Sequence, residues 1–157
     1  MKIPHILFRL INFVMVSLLR SPFHGVFSRS ILAMRYTGKK SGRVLTVPAR
    51  YISSAELAGG AQDARQWFLI TSKDTKWWPN FVGAGQAQVL LAGQWVPASI
   101  EAITDNPNMA GPIMRALWAK HPSDASYMEV KMVAGEPDAT DFERALTRAV
   151  VIRVTAT

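Results

Sequence analysis

Short apolar runs separated by glycine, proline and polar residues predict six β-strands along the chain. The predicted strands are Ile31–Tyr36, Leu45–Ile52, Gln66–Thr71, Ala87–Leu91, Trp95–Ile103 and Ala149–Val154. Pro48 predicts an edge strand or a bulge, because proline has no N–H to donate to a strand ladder. In the last run Val150, Ile152 and Val154 share one face. We expect that strand to bury this face and to leave Arg153, on the other face, in water.

The first apolar stretch, Ile3–Leu19, predicts an N-terminal helix. A helix of 17 residues spans about 25 Å, which is less than the hydrocarbon core of a bilayer. Arg9 and Asn12 interrupt the stretch and no small-residue cleavage site follows it, which disfavours a signal peptide. We expect the helix to lie on an anionic membrane surface, on the body of the protein or on a dimer partner. Pro22 ends it, and Phe23–Ser30 predicts a further helical turn.

Two more helices are predicted near the C-terminus. Asp105-Asn106-Pro107 supplies an Asx cap and a first-turn proline, and Thr140-Asp141-Phe142-Glu143 reads as a capping box for a helix ending near Arg148. Ser53–Arg65 is rich in small residues and predicts a hairpin loop. This order predicts an α+β fold built on a small antiparallel barrel. We expect an apolar helical segment over residues 1–30 and a barrel domain over residues 31–157.

Positive charge is concentrated in the first third of the chain. The net charge is +7, and all charged residues before Glu56 are basic. They are Lys2, Arg9, Arg20, Arg29, Arg35, Lys39, Lys40, Arg43 and Arg50. Such a distribution indicates an anionic partner, which could be lipid head groups, nucleic acid or a polyanionic cofactor.

Cysteine and histidine usage restricts the chemistry. The chain has no cysteine, which excludes disulfides and thiolate nucleophiles and fits a reducing cytoplasm. His5, His24 and His121 stand apart, and the sequence shows no hydrolytic or metal-ligand motif, so no metal site is expected. If the protein is an enzyme, a bound cofactor therefore carries the reactivity.

The stretch Thr37-Gly38-Lys39-Lys40-Ser41-Gly42-Arg43 joins the first two predicted strands. Its glycines allow a tight turn, and successive backbone N–H groups in such a turn can form an anion-binding concavity. The ammonium, guanidinium and hydroxyl groups add charged and neutral donors. The stretch therefore indicates a phosphate or carboxylate site, and the alternative is a solvated hairpin turn without a ligand.

The segment from Tyr36 to Arg43, followed by Thr46-Val47-Pro48, resembles the T-G-R-K-S-G-x-x-R-x-x-P motif of the deazaflavin-dependent nitroreductase family. Trp77–Ala84 resembles that family's second signature, W-Y-x-N-L-x-A-N-P, and Thr71-Ser72-Lys73 resembles its strand-end serine turn. The family belongs to the split-β-barrel flavin and deazaflavin oxidoreductases. The resemblance runs over most of the chain, from Leu19 to Val154.

The resemblance implies a split antiparallel β-barrel that binds the deazaflavin coenzyme F-420, whose tail carries a phosphodiester and a polyglutamate. The residues implied for the tail are Lys39, Lys40, Ser41, Gly42 and Arg43. Those implied for the ring pocket are Thr46, Val47, Pro48, Ser72, Trp78 and Asn80. Related barrels hold FMN, which is the alternative cofactor. Tyr127 lies near the family's substrate-side tyrosine and is the candidate proton donor or substrate clamp, the alternative being a tyrosine without a catalytic role.

The implied reaction is hydride transfer from the reduced deazaflavin to a lipophilic acceptor such as a quinone, an enone or a nitroaromatic. The apolar N-terminus suits a cytoplasmic enzyme that sits peripherally at the inner face of the membrane, and a homodimer is a further expectation. The alternative is a non-enzymatic barrel that binds anionic lipid or nucleic acid. Nucleic acid is disfavoured because the aromatic cluster Trp77–Phe81 is separated from the basic run. We also expect that cluster and the turn Gly38–Gly42 to share one rim of the barrel.

Overall fold

The computed structural model describes residues 5–22, 30–58 and 65–157. The described strands are β1 (Ile31–Thr37), β2 (Val44–Arg50), β3 (Ile52–Ser53), β4 (Gln66–Ser72), β5 (Gly85–Leu91), β6 (Gln94–Thr104), β7 (Met132–Val133), β8 (Glu136–Pro137) and β9 (Ala149–Ala156). The described helices are α1 (His5–Arg20), α2 (Ser54–Leu57), α3 (Pro107–Lys120) and α4 (Ala139–Arg148), and two 3₁₀ segments span Trp78–Phe81 and Pro122–Met128. The predicted α+β composition is confirmed.

Seven of these strands form one sheet in the order β2-β1-β5-β6-β9-β4-β3, and β7 pairs with β8 in a small hairpin. The pairings of β1 with β2 and β5, and of β4 with β3 and β9, are antiparallel. All six predicted strands are present. Pro48 lies in β2, the outermost strand of the order, as its missing N–H requires. The two outer strands of this order, β2 and β3, are separated along the chain by Tyr51 alone.

The chain divides into two compact units, and the first comprises residues 1–50, 86–99 and 156–157. Its apolar centre joins Leu19 of α1 to Ala33 of β1 and Leu90 of β5, with Trp95 packed beside them. A two-residue turn with positive φ at Ala92 and Gly93 connects β5 to β6, as a tight hairpin requires. The last turns of α1 are therefore part of a core.

The outward face of α1 is apolar as well. Leu10, Ile11, Phe13 and Val14 are exposed, and Phe13 retains 71% of its accessible surface. No helix among the described residues is long and apolar enough to cross a membrane. The helix thus packs through its C-terminal end and leaves an apolar face uncovered within the described part of the chain.

The second unit comprises residues 51–85 and 100–155. Helices α3 and α4 pack with β4 and β9, and the rings of Trp118 and Phe142 meet edge to face at 5.9 Å between centroids. Val151 of β9 is 1% exposed within this cluster. The prediction that β9 buries the face of Val150, Ile152 and Val154 is confirmed, since each is 0% exposed, and the burial of Val151 shows that the opposite face is covered in part as well. Arg153 is half-exposed and pairs with Glu101 of β6.

The helix starts were predicted with mixed success. Asn106 caps α3 by accepting a hydrogen bond from the Met109 N–H, as expected. The capping box predicted at Thr140 is wrong. The cap of α4 is Asp138, which has an extended backbone and accepts from the Asp141 N–H at 3.0 Å, while Thr140 already lies inside the helix.

The predicted hairpin loop Ser53–Arg65 contains structure that the sequence reading missed. Ser53 ends β3 and caps α2, and a capping box joins it to Glu56. Lys120 of α3 binds the same carboxylate at 2.6 Å. The remainder of the loop, residues 59–64, and most of the predicted helical turn Phe23–Ser30 lie outside the described residues.

Candidate cofactor site

The basic stretch forms the turn of the β1–β2 hairpin in the first unit. The Gly38 N–H donates to the Arg43 carbonyl and the Gly42 N–H donates to the Gly38 carbonyl, both at 2.9 Å. Gly42 has φ +63°, a conformation that disfavours a side chain. A Cβ on Gly38 would lie 2.7 Å from the Ser41 hydroxyl oxygen. The turn geometry therefore accounts for both glycines without any ligand.

The side chains of this turn face solvent and are chemically suited to an anion. Lys40, Ser41 and Arg43 are exposed, and no ion pair joins Lys40 or Arg43 to a carboxylate among the residues that the structure describes. The Ser41 hydroxyl accepts a weak hydrogen bond from the Arg43 N–H at 3.3 Å and keeps its own proton for another acceptor. Because Gly38 and Gly42 use their N–H groups inside the turn, an anion would be bound mainly by side chains.

The strand that follows this turn presents its residues on two faces. Thr46 is paired with Arg35 and Pro48 with Ala33, so these side chains share the face of β1 that packs on α1. Val47 points to the opposite face. A ring lying on one face of β2 would therefore contact either the side chains of Thr46 and Pro48 or the side chain of Val47. It would reach only backbone atoms of the residues on the other face.

The second group of predicted site residues lies in the second unit, around the end of β4 and the 3₁₀ segment Trp78–Phe81. The Trp78 Nε1–H donates to the Lys73 carbonyl at 3.3 Å, and the Asn80 Nδ2–H donates to the Trp77 carbonyl at 2.8 Å. The Ser72 hydroxyl donates to Asp74 at 2.9 Å. Ser72, Trp78 and Asn80 are therefore ordered by one short segment of chain.

One aromatic residue of this segment belongs to the packed core. Phe81 is 2% exposed and its ring meets that of Trp77 edge to face, at 6.3 Å between centroids. Trp77 and Trp78 are only partly buried, so they retain surface for a ligand.

Ion pairs that the sequence did not predict organise the same region. Lys73 Nζ lies 2.6 Å from Asp105, and its hydrogen bond holds the pKa of that carboxyl below the ordinary value. The Arg148 guanidinium contacts Asp74 at 3.6 Å and Glu129 at 2.9 Å. These pairings neutralise Lys73 and Asp74 beside the predicted pocket. Their partners are distant in sequence, so no local pattern indicates them.

Tyr127 lies in the 3₁₀ segment Pro122–Met128 of the second unit and is 82% exposed. Its hydroxyl is accessible, which suits contact with a bound substrate as well as a surface position without a role. No group of three or more potential metal ligands occurs among the described residues. The predicted common rim of Gly38–Gly42 and Trp77–Phe81 concerns the placement of one unit against the other, and it stays a prediction.

No protein-family model matches the chain, and no curated protein matches it. Solved structures do. A protein described as a domain-swapped dimer has 15% sequence identity and a TM-score of 0.50, with 97% of this chain and 99% of the other covered. A Listeria innocua protein named after pyridoxamine 5'-phosphate oxidase has 10% identity and a TM-score of 0.46, covering 93% of both chains. An F-420 reductase has 13% identity and a TM-score of 0.43, covering 90% and 91%.

These similarities concern the fold. The chain has the split antiparallel β-barrel fold with flanking helices that the sequence resemblance implied. Identities of 15% or less leave activity and cofactor to be argued from the residues themselves.

Proposed function

We propose that the protein is an oxidoreductase that uses the deazaflavin coenzyme F-420 to reduce a lipophilic acceptor such as a quinone, an enone or a nitroaromatic. The observation that carries the proposal is the exposed β1–β2 turn, where Lys40 and Arg43 have no described carboxylate partner. The motif resemblance around that turn and around Trp77–Ala84 supports the choice of cofactor. FMN, which also carries a phosphate, is the alternative.

The residues of the turn fit an anionic cofactor tail. Lys39, Lys40 and Arg43 supply positive charge, and the Ser41 proton is free to follow a phosphate or carboxylate oxygen. The bound deazaflavin would supply the hydride, and the protein supplies binding, orientation and exclusion of water. In this proposal Gly42 holds the turn in shape through its left-handed backbone.

The residues proposed for the cofactor ring are, in the first unit, Thr46 and Pro48 on one face of β2 and Val47 on the other and, in the second unit, Ser72, Trp78 and Asn80. Partly buried indole and proline surfaces suit a flat aromatic ring, whereas the hydroxyl and amide groups can fix its edge. Tyr127 would contact the acceptor through its accessible hydroxyl, as a clamp or a proton donor.

Titration with coenzyme F-420, and separately with FMN, tests the assignment. Each charge-assisted hydrogen bond contributes about 1.5–3 kcal/mol, so Lys40→Ala should weaken cofactor binding by roughly one to two decades. Lys131→Ala, which removes an exposed lysine of the second unit, should leave affinity unchanged. Added salt should weaken binding to the wild type. A folded Lys39→Ala/Lys40→Ala protein with wild-type affinity for the cofactor would refute the role of the turn. Tight binding of FMN without binding of coenzyme F-420 would identify FMN as the cofactor instead.

We also propose that the outward face of α1 rests on an anionic membrane surface, which would place a cytoplasmic enzyme near lipid-dissolved acceptors. Exposed Leu10, Ile11 and Phe13, together with the basic N-terminal third, support this assignment. Phe13→Asn should reduce sedimentation with vesicles rich in phosphatidylserine and leave cofactor affinity intact. A homodimer, which the domain-swapped neighbour suggests, is the competing use of this face. A Phe13→Asn variant that becomes monomeric without any change in vesicle binding would favour it.

A further inference from the structure

A shallow cavity of about 330 Å³ opens beside the basic turn, within the first unit. It is lined by Arg35, Tyr36, Thr37, Val44, Gln86, Ala87 and Gln88. The residues of this lining carry a guanidinium, two hydroxyls and two carboxamides, and they include no carboxylate. The composition therefore favours an anionic occupant over a cation.

Arg35 is held in place at this cavity from two directions. Its Nε and Nη2 both donate to the Gln88 side-chain carbonyl, at 3.0 and 2.5 Å. Its guanidinium lies 4.2 Å from the centre of the Trp95 ring, and Trp95 in turn packs on the core around Leu19. A guanidinium fixed in this way loses little conformational freedom when it binds a ligand.

The charge of Arg35 is not matched by a carboxylate among the residues that the structure describes. Its cross-strand neighbours are Thr46 and Gln88, both neutral. Arg115 also stacks on an aromatic ring, that of Phe142 at 4.1 Å, but its guanidinium lies 3.7 Å from the Glu136 carboxylate. One stacked arginine is thus paired, and the other keeps donors for an external anion.

Arg35 precedes the turn by three residues on β1, which is about 10 Å along an extended strand. We propose that this cavity is a second anion subsite, and that Arg35 and the turn together bind one elongated polyanion with carboxylate or phosphate groups spaced by about that distance. The subsite needs no redox cofactor. The inference rests on the proposed function only in that both use the β1–β2 turn, and its test is a binding measurement that does not depend on enzyme activity.

The test titrates the full chain, labelled with ¹⁵N, with tetraglutamate in one series and tripolyphosphate in another, and follows backbone amide shifts. We expect shifts at residues 35–37 and 86–88 as well as in the turn. The series that saturates first identifies the carboxylate or the phosphate as the preferred group. Monovalent acetate should bind more weakly than either, because it reaches one subsite only.

Two variants and a matched control decide the outcome. Arg35→Gln should weaken tetraglutamate or tripolyphosphate binding about tenfold, as the loss of one charge-assisted contact predicts. Gln88→Glu keeps the shape of the contact but supplies an internal carboxylate, so it should weaken binding equally without disturbing the fold. Arg115→Gln should change nothing. Unchanged affinity in Gln88→Glu, or an equal loss in Arg115→Gln, would overturn the proposal.

Discussion

Replacing Leu19 by alanine tests how firmly α1 belongs to the core of the first unit. The Leu19 side chain is 1% exposed and packs on Ala33 and Leu90. Both neighbours lie in paired strands, which cannot move inward easily to fill a gap. A buried Leu→Ala change costs about 2–5 kcal/mol, and the cost is larger where the site cannot collapse. We expect a value in the upper part of that range.

The chain offers a matched control in the same helix. Leu10 is 57% exposed, so Leu10→Ala removes the same atoms from a face in contact with water. Its cost should lie within about 0.5 kcal/mol, as for most surface changes. Since about 1 kcal/mol corresponds to 2–4 °C in a domain of this size, Leu19→Ala should lower the Tm by roughly 6–20 °C and Leu10→Ala by about 2 °C or less.

The assay is thermal unfolding followed by circular dichroism at two wavelengths. The far-ultraviolet signal reports mainly helix, and the near-ultraviolet signal reports the packing of Trp95 and the other tryptophans. Equal Tm values for the two variants would refute the packing of α1 through Leu19. Loss of helix signal well below an unchanged near-ultraviolet transition would show that α1 opens locally, and the stability assigned to Leu19 would then be wrong.

The other predictions concern caps, a carboxylate and the turn. Asp138→Ala should lower the free energy of unfolding by about 1 kcal/mol through loss of the α4 cap. Asp138→Asn, which can still accept the capping hydrogen bond, should be about as stable as the wild type. Equal losses of stability in the two variants would contradict the capping role. Burial raises the pKa of Glu56, but hydrogen bonds from Lys120 and Ser53 outweigh this and hold it below the ordinary value. The ionised Glu56 carboxylate therefore stabilises the fold above its unfolded pKa, and this contribution is lost as the pH falls. Glu56→Gln should lower the Tm near pH 7 but not near pH 3. A Tm difference from wild type that is the same at both pH values would exclude this pH dependence. Gly42→Ala should cost about 1–2 kcal/mol because φ is positive there, and Gly42→Asn should cost less in the same urea titration; an alanine variant as stable as wild type would show that the turn relaxes.

Local sequence patterns predicted the strands and the start of α3 well, because the signals for each element lie within a few residues of one another. Pro48 indicated an edge strand, and Asn106 followed by Pro107 marked the start of α3. The cap of α4 was misplaced by two residues, since both Asp138 and Thr140 are good capping residues and only the backbone conformation distinguishes them.

The candidate site could be predicted only in part. The charges of the β1–β2 turn are visible in the sequence, and so is the cluster around Trp78. The ion pair of Lys73 with Asp105 was not, because its members are 32 residues apart. The stacked arrangement of Arg35 on Trp95 was missed for the same reason: it depends on which strands become neighbours, and residue type alone does not carry that information.

The interior position of β9 bears on how the chain assembles as it leaves the ribosome. β9 pairs with β4, and Gln66 meets Thr155 across a separation of 89 residues. During synthesis both β4 and β6 emerge long before the strand that separates them, so each exposes an unpaired edge in the nascent chain. Loop closure over such a distance is slow. We therefore expect protection of β4 amides from hydrogen exchange to arise only after β9 is complete, and early protection in arrested chains that lack β9 would contradict this order.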